Sequence, residues 1–306
     1  MTAEQGKPLS EARGEIDYAA SFVESYAEEG KRANIEGVTS HLPDAELALR
    51  REPLGVAALV TPWNFPSAMV TRTAAAALAA GCTAVLHPAI ETPFSALALA
   101  ALAERAGLPP GILNIVTGAP EPIVGAFCDS AAVRALSFTG STRVGRIIAA
   151  RCAPQMKRLV LELGGHAPFI AFADAALDRA VDDAVAAKFT TSGQDCLAAN
   201  RIYIERPIYA EFRRRFAERA AALAVGAGFE PGIAIGPLIN DDAVVKMERH
   251  VADALASGAC LLLGGKRHPR VGAFFAPTVL ADVPEGALIM REETFGPVAA
   301  LAPLRQ

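Results

Sequence analysis

From Leu54 onward, short β-rich runs alternate with alanine-rich stretches of helical length, and this alternation, more than any motif, limits what the chain can become. Strands are predicted over 55–61, 83–87, 112–116 and 133–138, and helices over 67–80, 94–106, 121–128 and 141–152. Turns between them are short and rich in Gly and Pro, which argues for a parallel, doubly wound α/β sheet. A strand through LELGG comes next, and then the alternation restarts. It gives a helix at 175–188, a strand at 201–204, helices at 208–223 and 241–257, and a strand at 260–263. The boundary is therefore placed near Leu163, with a first α/β domain over 1–163 and a second over 164–306. Ahead of the first strand, 10–32 carries Ile16, Ala19, Ala20, Val23 and Ala27 at helical spacing, an amphipathic helix expected to pack on the α/β domain downstream of it.

With 306 residues, 52% of them hydrophobic and 20% charged, the chain has core enough for both domains and is not a disordered composition. A net charge of −4 gives no reason to expect nucleic acid or an anionic membrane as partner, and the basic run 213–215 reads as a solvated helix face. The most apolar stretch, 73–86, is interrupted by Gly81 and Thr83, so no membrane span and no signal pattern is predicted. Five cysteines at irregular spacing form neither a disulfide framework nor a zinc pattern, and the five histidines are scattered; no metal is expected, and a reducing cytoplasm fits best.

Three stretches carry chemistry. TSGQDCLAANR, 191–201, presents Cys196 in a loop of small residues, although a lone cysteine is more often a small buried hydrophobe than a nucleophile. LELGGHAP, 161–168, holds Glu162 between leucines, as a general base kept near neutral pKa by apolar surroundings would be. TPWNFP, 61–66, locks the amide donor Asn64 between an indole and a proline. Thiol, carboxylate and amide donor are what making and breaking a thioester requires. A fourth stretch, SFTGSTRVG at 137–145, ends a strand and opens a helix at Ser141 with glycines that let a phosphate approach backbone N–H groups. Its spacing is not GxGxxG, and such turns are usually structural punctuation.

Taken together and in order, PWNFP, FTGSTRVG, LELGG, GQDC and EETFGPV resemble the NAD(P)-dependent aldehyde dehydrogenases, and within them most nearly the succinate-semialdehyde dehydrogenases, from Thr2 to about Pro303. The resemblance implies that Cys196 is the nucleophile, Asn64 the oxyanion donor and Glu162 the base that activates water. It also implies that NAD or NADP lies against Thr61, Trp63, His87, Gly140, Ser141, Gly145, Leu163, Glu293 and Phe295. His87 stands where the family usually has lysine, and Ile90 where it often has glutamate or a small polar residue; losing the cation leans the choice toward NAD.

Arg72 matches one of the arginines that grip the substrate carboxylate, whereas the second falls at Thr190. That loss should cost about 1.5–3 kcal/mol. Asp195 would raise the thiol pKa if its carboxylate points inward. The implied ligand is a small aldehyde, and full-length relatives are implied to be homo-oligomers. Compared with the family, Met1 and Gln306 both fall inside the usual span, so a fragment or a natural truncation with exposed strand edges is expected. A cofactor-independent thiol esterase and an inactive truncated paralogue remain as alternatives at this stage.

Overall fold

The computed structural model describes residues 1–32 and 36–304. They fall into two compact units, Met1 with Arg13–Leu163 and Thr2–Ala12 with Gly164–Gln306. The chain opens with α1 (Thr2–Gln5) and α2 (Leu9–Gly30). Along α2 the buried positions are Ala12, Glu15 and Ala19, with Phe22 and Tyr26 half-buried, while Ile16 and Val23 stay exposed. The buried stripe is thus turned about one residue from the expected one. The cause is polar as much as apolar: the buried Glu15 carboxylate accepts the backbone N–H groups of Ser67 (2.8 Å) and Ala68 (3.2 Å). It supplies the opening turn of α3 with the acceptor that Ser67 itself does not provide, a capping interaction of about 1 kcal/mol.

Within the first unit, β1 (Glu36–Val38) and β2 (Leu47–Leu49) form a small antiparallel ribbon. The main elements then alternate: β3 (Val56–Thr61), α3 (Ala68–Ala79), β4 (Thr83–Pro88), α4 (Pro93–Arg105), β5 (Leu113–Ile115), α5 (Pro120–Asp129), β6 (Val133–Gly140), α6 (Thr142–Cys152) and β7 (Arg158–Leu163). The five strands from β3 onward pair in the order β5-β4-β3-β6-β7, all parallel. Alternation along β3 sends Ala57 and Leu59 to one face, against Val70 and Ala74 of α3 and Ala96 of α4. Ala58 and Val60 go to the other, against Phe127 and Cys128 of α5 and Ile148 and Cys152 of α6. A strand buried on both faces shows no polar alternation, which is why β3 reads as a continuous apolar run.

The second unit contains β8 (Pro168–Ala171), α7 (Leu177–Phe189), β9 (Arg201–Glu205), α8 (Arg206–Ala221), α9 (Asp241–Ala256), β10 (Cys260–Leu263), β11 (Thr278–Ala281) and β12 (Val298–Leu304). Its sheet runs β10-β11-β12-β9-β8, with β10 antiparallel to β11 and the remaining pairs parallel. Val181 and Val185 of α7 and Phe212 and Phe216 of α8 cover one face at Ile202, Ile204 and Leu301. Val244, Met247 and Val251 of α9 cover the other at Leu280, Val298 and Ala300.

Strands β1, β2, β8, β11 and β12 are absent from the sequence-based expectation. β12, VAALAPL, lies in a stretch for which the sequence predicts no element. Three alanines and a proline give it little intrinsic strand preference, and its place between β11 and β9 decides its conformation.

Candidate active site

In the first unit the strand order reverses at β3, whose neighbours are β4 on one side and β6 on the other. Open parallel sheets bind ligands beyond the carboxyl ends of their strands at such a switch point. The expected cofactor residues of this unit collect at those ends. Thr61 closes β3, His87 is next to last in β4, Gly140 closes β6 and Leu163 closes β7. Trp63 and the buried Asn64 lie in the turn from β3 into α3. Thr61 Oγ1 is buried and has no hydrogen-bond partner among the described residues, a polar atom left for something else to satisfy.

Around the β6–α6 turn the glycines are there for close approach. A Cβ on Gly140 would stand 2.6 Å from the Phe138 ring, and one on Gly145 would stand 2.5 Å from Leu163 Cδ2. Ser141 caps α6, its Oγ accepting the Val144 N–H at 3.3 Å. A helix N-terminus at a glycine turn, with an orphaned hydroxyl on the adjoining strand, suits a dinucleotide phosphate group.

Two expectations for this unit change. Glu162 is not enclosed by its leucines: it is exposed on the edge strand β7, because alternation puts Leu161 and Leu163 on the face packed against α6 and Glu162 on the opposite one. His87 is buried, with Nδ1 2.9 Å from Val116 O, so its ring is tied to the backbone after β5 rather than extended as a lysine would be. Ile90 is exposed. Arg72, half-buried on α3, has its guanidinium 5.9 Å from the Phe22 ring centroid, a cation–π arrangement.

Cys196, Glu293 and Phe295 belong to the second unit. Ahead of the thiol, Thr191, Ser192 and Gly193 all adopt positive φ, at 53°, 58° and 71°. Left-handed backbone at a β-branched threonine is strained and persists only where its surroundings impose it. Here they do. Thr191 N–H donates to Glu11 Oε1 (3.0 Å), Ser192 Oγ accepts from Gly236 N–H (2.9 Å), and Gln194 Oε1 accepts from Ile239 N–H (2.9 Å). Gly193 is obligatory, since a Cβ would lie 2.3 Å from Gly296 O. The loop delivers Cys196 exposed, with Ala198, Ala199 and Asn200 buried behind it.

Although Cys196 reaches the surface, the protein packed around its sulfur desolvates it and pushes the thiol up; Asp195 and then Glu293 add to the rise, and the residue's own backbone N–H opposes it. Asp195 Oδ1 also accepts the Leu197 N–H at 2.9 Å. Glu293 accepts a long bond from the Gly165 N–H (3.4 Å), and a Cβ on Gly164 would stand 2.7 Å from its Oε2. Burial raises the Glu293 pKa, against the Gly165 bond and the cations of Lys246 and Lys188. Phe295 comes two residues later at φ 54°, again left-handed.

Lys188 escaped the sequence reading. It is wholly buried on α7, its Nζ donating to Asn200 Oδ1 at 3.1 Å, and burial, with Lys246 assisting and Glu293 opposing, lowers its pKa to about 7. Its signal was available: Val181, Ala184 and Val185 set an apolar stripe whose next position is this lysine. Glu11 and Gly193 gave no comparable local signal. Thr190, at the place of the second expected arginine, donates its hydroxyl to Ala186 O (2.7 Å). Among the described residues no cluster of three His, Cys, Asp or Glu could hold a metal ion.

The model of the aldehyde dehydrogenase family matches residues 1–306. The chain is 53% identical over 301 residues to the NADP(+) succinate-semialdehyde dehydrogenase GabD of Escherichia coli (strain K12), covering 98% of this chain and 62% of that protein. It is 52% identical over 299 residues to a glutarate-semialdehyde dehydrogenase of Pseudomonas aeruginosa, again covering 98% and 62%. The crystal structure of a succinate-semialdehyde dehydrogenase from Burkholderia pseudomallei superposes with a TM-score of 0.98 at 51% identity, over 100% of this chain and 63% of that one. The chain thus spans less than two thirds of the length of these relatives.

Proposed function

The chain belongs to the aldehyde dehydrogenase family, and from that premise we propose that it oxidises an aldehyde to the carboxylic acid with NAD or NADP, through a thioester on Cys196. The observation that carries this reading is the exposed Cys196 thiol, delivered by a loop whose strained backbone is pinned by long-range bonds. Strain of that kind is retained where geometry at a reacting atom matters.

In this reading the boundary expected at Leu163 separates an NAD(P)-binding domain from a catalytic domain over 164–306, with Thr2–Ala12, expected in the first domain, packed into the second. The Cys196 thiolate adds to the aldehyde carbon, giving a thiohemiacetal whose oxyanion is held by the Asn64 amide and a backbone N–H near Cys196. Bound NAD or NADP would supply the hydride acceptor that converts the thiohemiacetal into the thioester. Glu162 takes a proton from water, which attacks the thioester; the acid leaves and the thiolate is restored. The exposure of Glu162 suits a base that must meet water. Thr61, Trp63, His87, Gly140, Ser141, Gly145, Leu163 and Phe295 would hold the dinucleotide, and Glu293 its nicotinamide ribose.

The named relatives act on succinate and glutarate semialdehydes, so a monocarboxylate semialdehyde is the proposed substrate class, with Arg72 as the carboxylate partner and Thr190 contributing no charge. No described helix is long and apolar enough to cross a membrane, and we place the reaction in a reducing cytoplasm. The test is NAD(P) reduction with succinate semialdehyde, glutarate semialdehyde and uncharged butanal, by the wild-type chain and Cys196→Ala. Cofactor-dependent turnover that Cys196→Ala abolishes supports the reading; turnover surviving that substitution refutes it.

A further inference from the structure

Long-range bonds to Glu11, Gly236, Pro237 and Ile239 hold the arch Thr191–Ser192–Gly193 and the Gln194 that follows it, and among these partners the Glu11 carboxylate is the charged one. Glu11 precedes the arch by 180 residues and is placed there by a locked N-terminal segment. Leu9 N–H donates to Gly228 O at 2.8 Å, and Gly6, at φ 93°, packs so tightly on Pro237 that a Cβ would lie 2.5 Å from its ring. Cβ atoms on Gly228 or Gly236 would each come within 2.3 Å of backbone oxygens of this same segment. Residues 2–12 are therefore built into the second unit, and Glu11 has little freedom to leave the Thr191 N–H.

We propose that Glu11 is a positioning residue for Cys196: its carboxylate, bonded to the Thr191 N–H, holds the left-handed arch that sets the sulfur and the backbone N–H groups beside it. The proposal rests on the reading of Cys196 as nucleophile. Three features support it. The other carboxylate oxygen of Glu11, Oε2, is buried without a partner among the described residues, so the Thr191 bond is what fixes the group. The charges facing it are Lys7, which favours the carboxylate, and Asp195, which opposes it; burial, the largest influence, raises its pKa. Asp195 adjoins the thiol, so the carboxylate reaches the surroundings of Cys196 as well as the arch. When the arch relaxes, the Cys196 thiolate loses the support of its own backbone N–H and becomes harder to form.

The test is the rate at which iodoacetamide alkylates Cys196, followed across pH by peptide mass spectrometry in the wild-type chain, Glu11→Gln and Glu11→Met. Exposed Cys260 is the internal reference, and buried Cys82, Cys128 and Cys152 report unfolding. Glu11→Met, which keeps the stem but no acceptor, should slow Cys196 about tenfold relative to Cys260 near neutral pH and move its titration upward. Glu11→Gln, which keeps an acceptor for Thr191, should stay within about threefold of wild type. A Cys196 rate in folded Glu11→Met equal to wild type overturns the proposal, as does a Glu11→Gln rate as slow as that of Glu11→Met. Should Glu11→Met unfold, Glu11→Asp decides: shortened by one methylene, it loses Thr191 and must slow Cys196 in a folded chain, and a wild-type rate there overturns the proposal. Alkylation reads the sulfur whatever its chemical role, so failure of the nucleophile reading appears separately, as turnover surviving Cys196→Ala.

Discussion

The two units place their candidate residues in different ways. In the first, Thr61, His87, Gly140 and Leu163 lie where a parallel sheet puts them, at the carboxyl ends of β3, β4, β6 and β7, and none of these residues has a left-handed non-glycine backbone. In the second, Cys196 comes after an arch of left-handed residues that no regular element dictates, and the arch depends on Glu11, Gly236 and Ile239, all more than 40 residues away. Position that arises from topology is shared among many strand contacts. Position that arises from a few distant bonds can be lost with one of them, so single substitutions should act unequally on the two units.

The largest contrast should come from two glycine-to-alanine changes. In Gly193→Ala the new methyl meets backbone, 2.3 Å from Gly296 O, at a φ of 71° that alanine disfavours. The backbone of Gly296, and that of Lys188 at 3.1 Å, cannot swing aside, and a loss of about 3 kcal/mol or more in the second unit is expected. In Gly140→Ala the methyl meets the rim of the Phe138 side chain at a position without positive φ, so about 1–2 kcal/mol in the first unit is expected. Urea unfolding followed by hydrogen exchange, resolved by segment, measures both, and equal losses would break the comparison.

Lys188 gives a smaller effect with a definite sign. An unfolded lysine keeps its proton to about 10.5, whereas Lys188 in the fold releases it near 7, its burial opposing the charge. Between those values the unfolded chain binds the extra proton, so Lys188 makes stability rise with pH by up to about 1.4 kcal/mol per unit. Lys188→Met should remove that rise. The measurement is the wild-type minus variant difference in urea stability at pH 7.5 and pH 9, and a difference that does not change with pH would contradict the assignment. The smallest effect is expected from Asp195→Asn. Removing the carboxylate beside the sulfur lowers the Cys196 thiol pKa, so alkylation near pH 7 should quicken by about two- to fivefold. A slower rate would mean that the bond from Leu197 N–H to Asp195 matters more to the loop than its charge does to the sulfur.

This contrast also marks what the sequence makes legible. Both α/β units, and the elements from β3 to β7, emerge from hydrophobic alternation and Gly/Pro punctuation, because β3, β4 and β6 are covered by helices on both faces and β7 on one. β12 was not legible, since an alanine-rich run becomes a strand only when β9 and β11 are there to pair with it. On α2 the buried face was misplaced because Glu15, a residue any hydrophobicity pattern sends to solvent, is buried to accept two N–H groups of another helix. The leucines beside Glu162 in sequence suggest an apolar pocket, although in a strand those neighbours point the other way. Cys196 itself was legible as a thiol in a small-residue loop. The support of that loop was not, because a hydrogen bond between Glu11 and Thr191 leaves no trace in local composition.

The central claim is that aldehyde carbon is transferred to Cys196 and released by water that Glu162 activates. Its most direct test is mass spectrometry of Glu162→Gln after incubation with succinate semialdehyde and NAD or NADP. The account predicts one succinyl increment on the peptide carrying Cys196, persisting longer than in the wild-type chain because water attack is slowed. A reduced cofactor with no adduct on Cys196, or an adduct on Cys260 in its place, would contradict it.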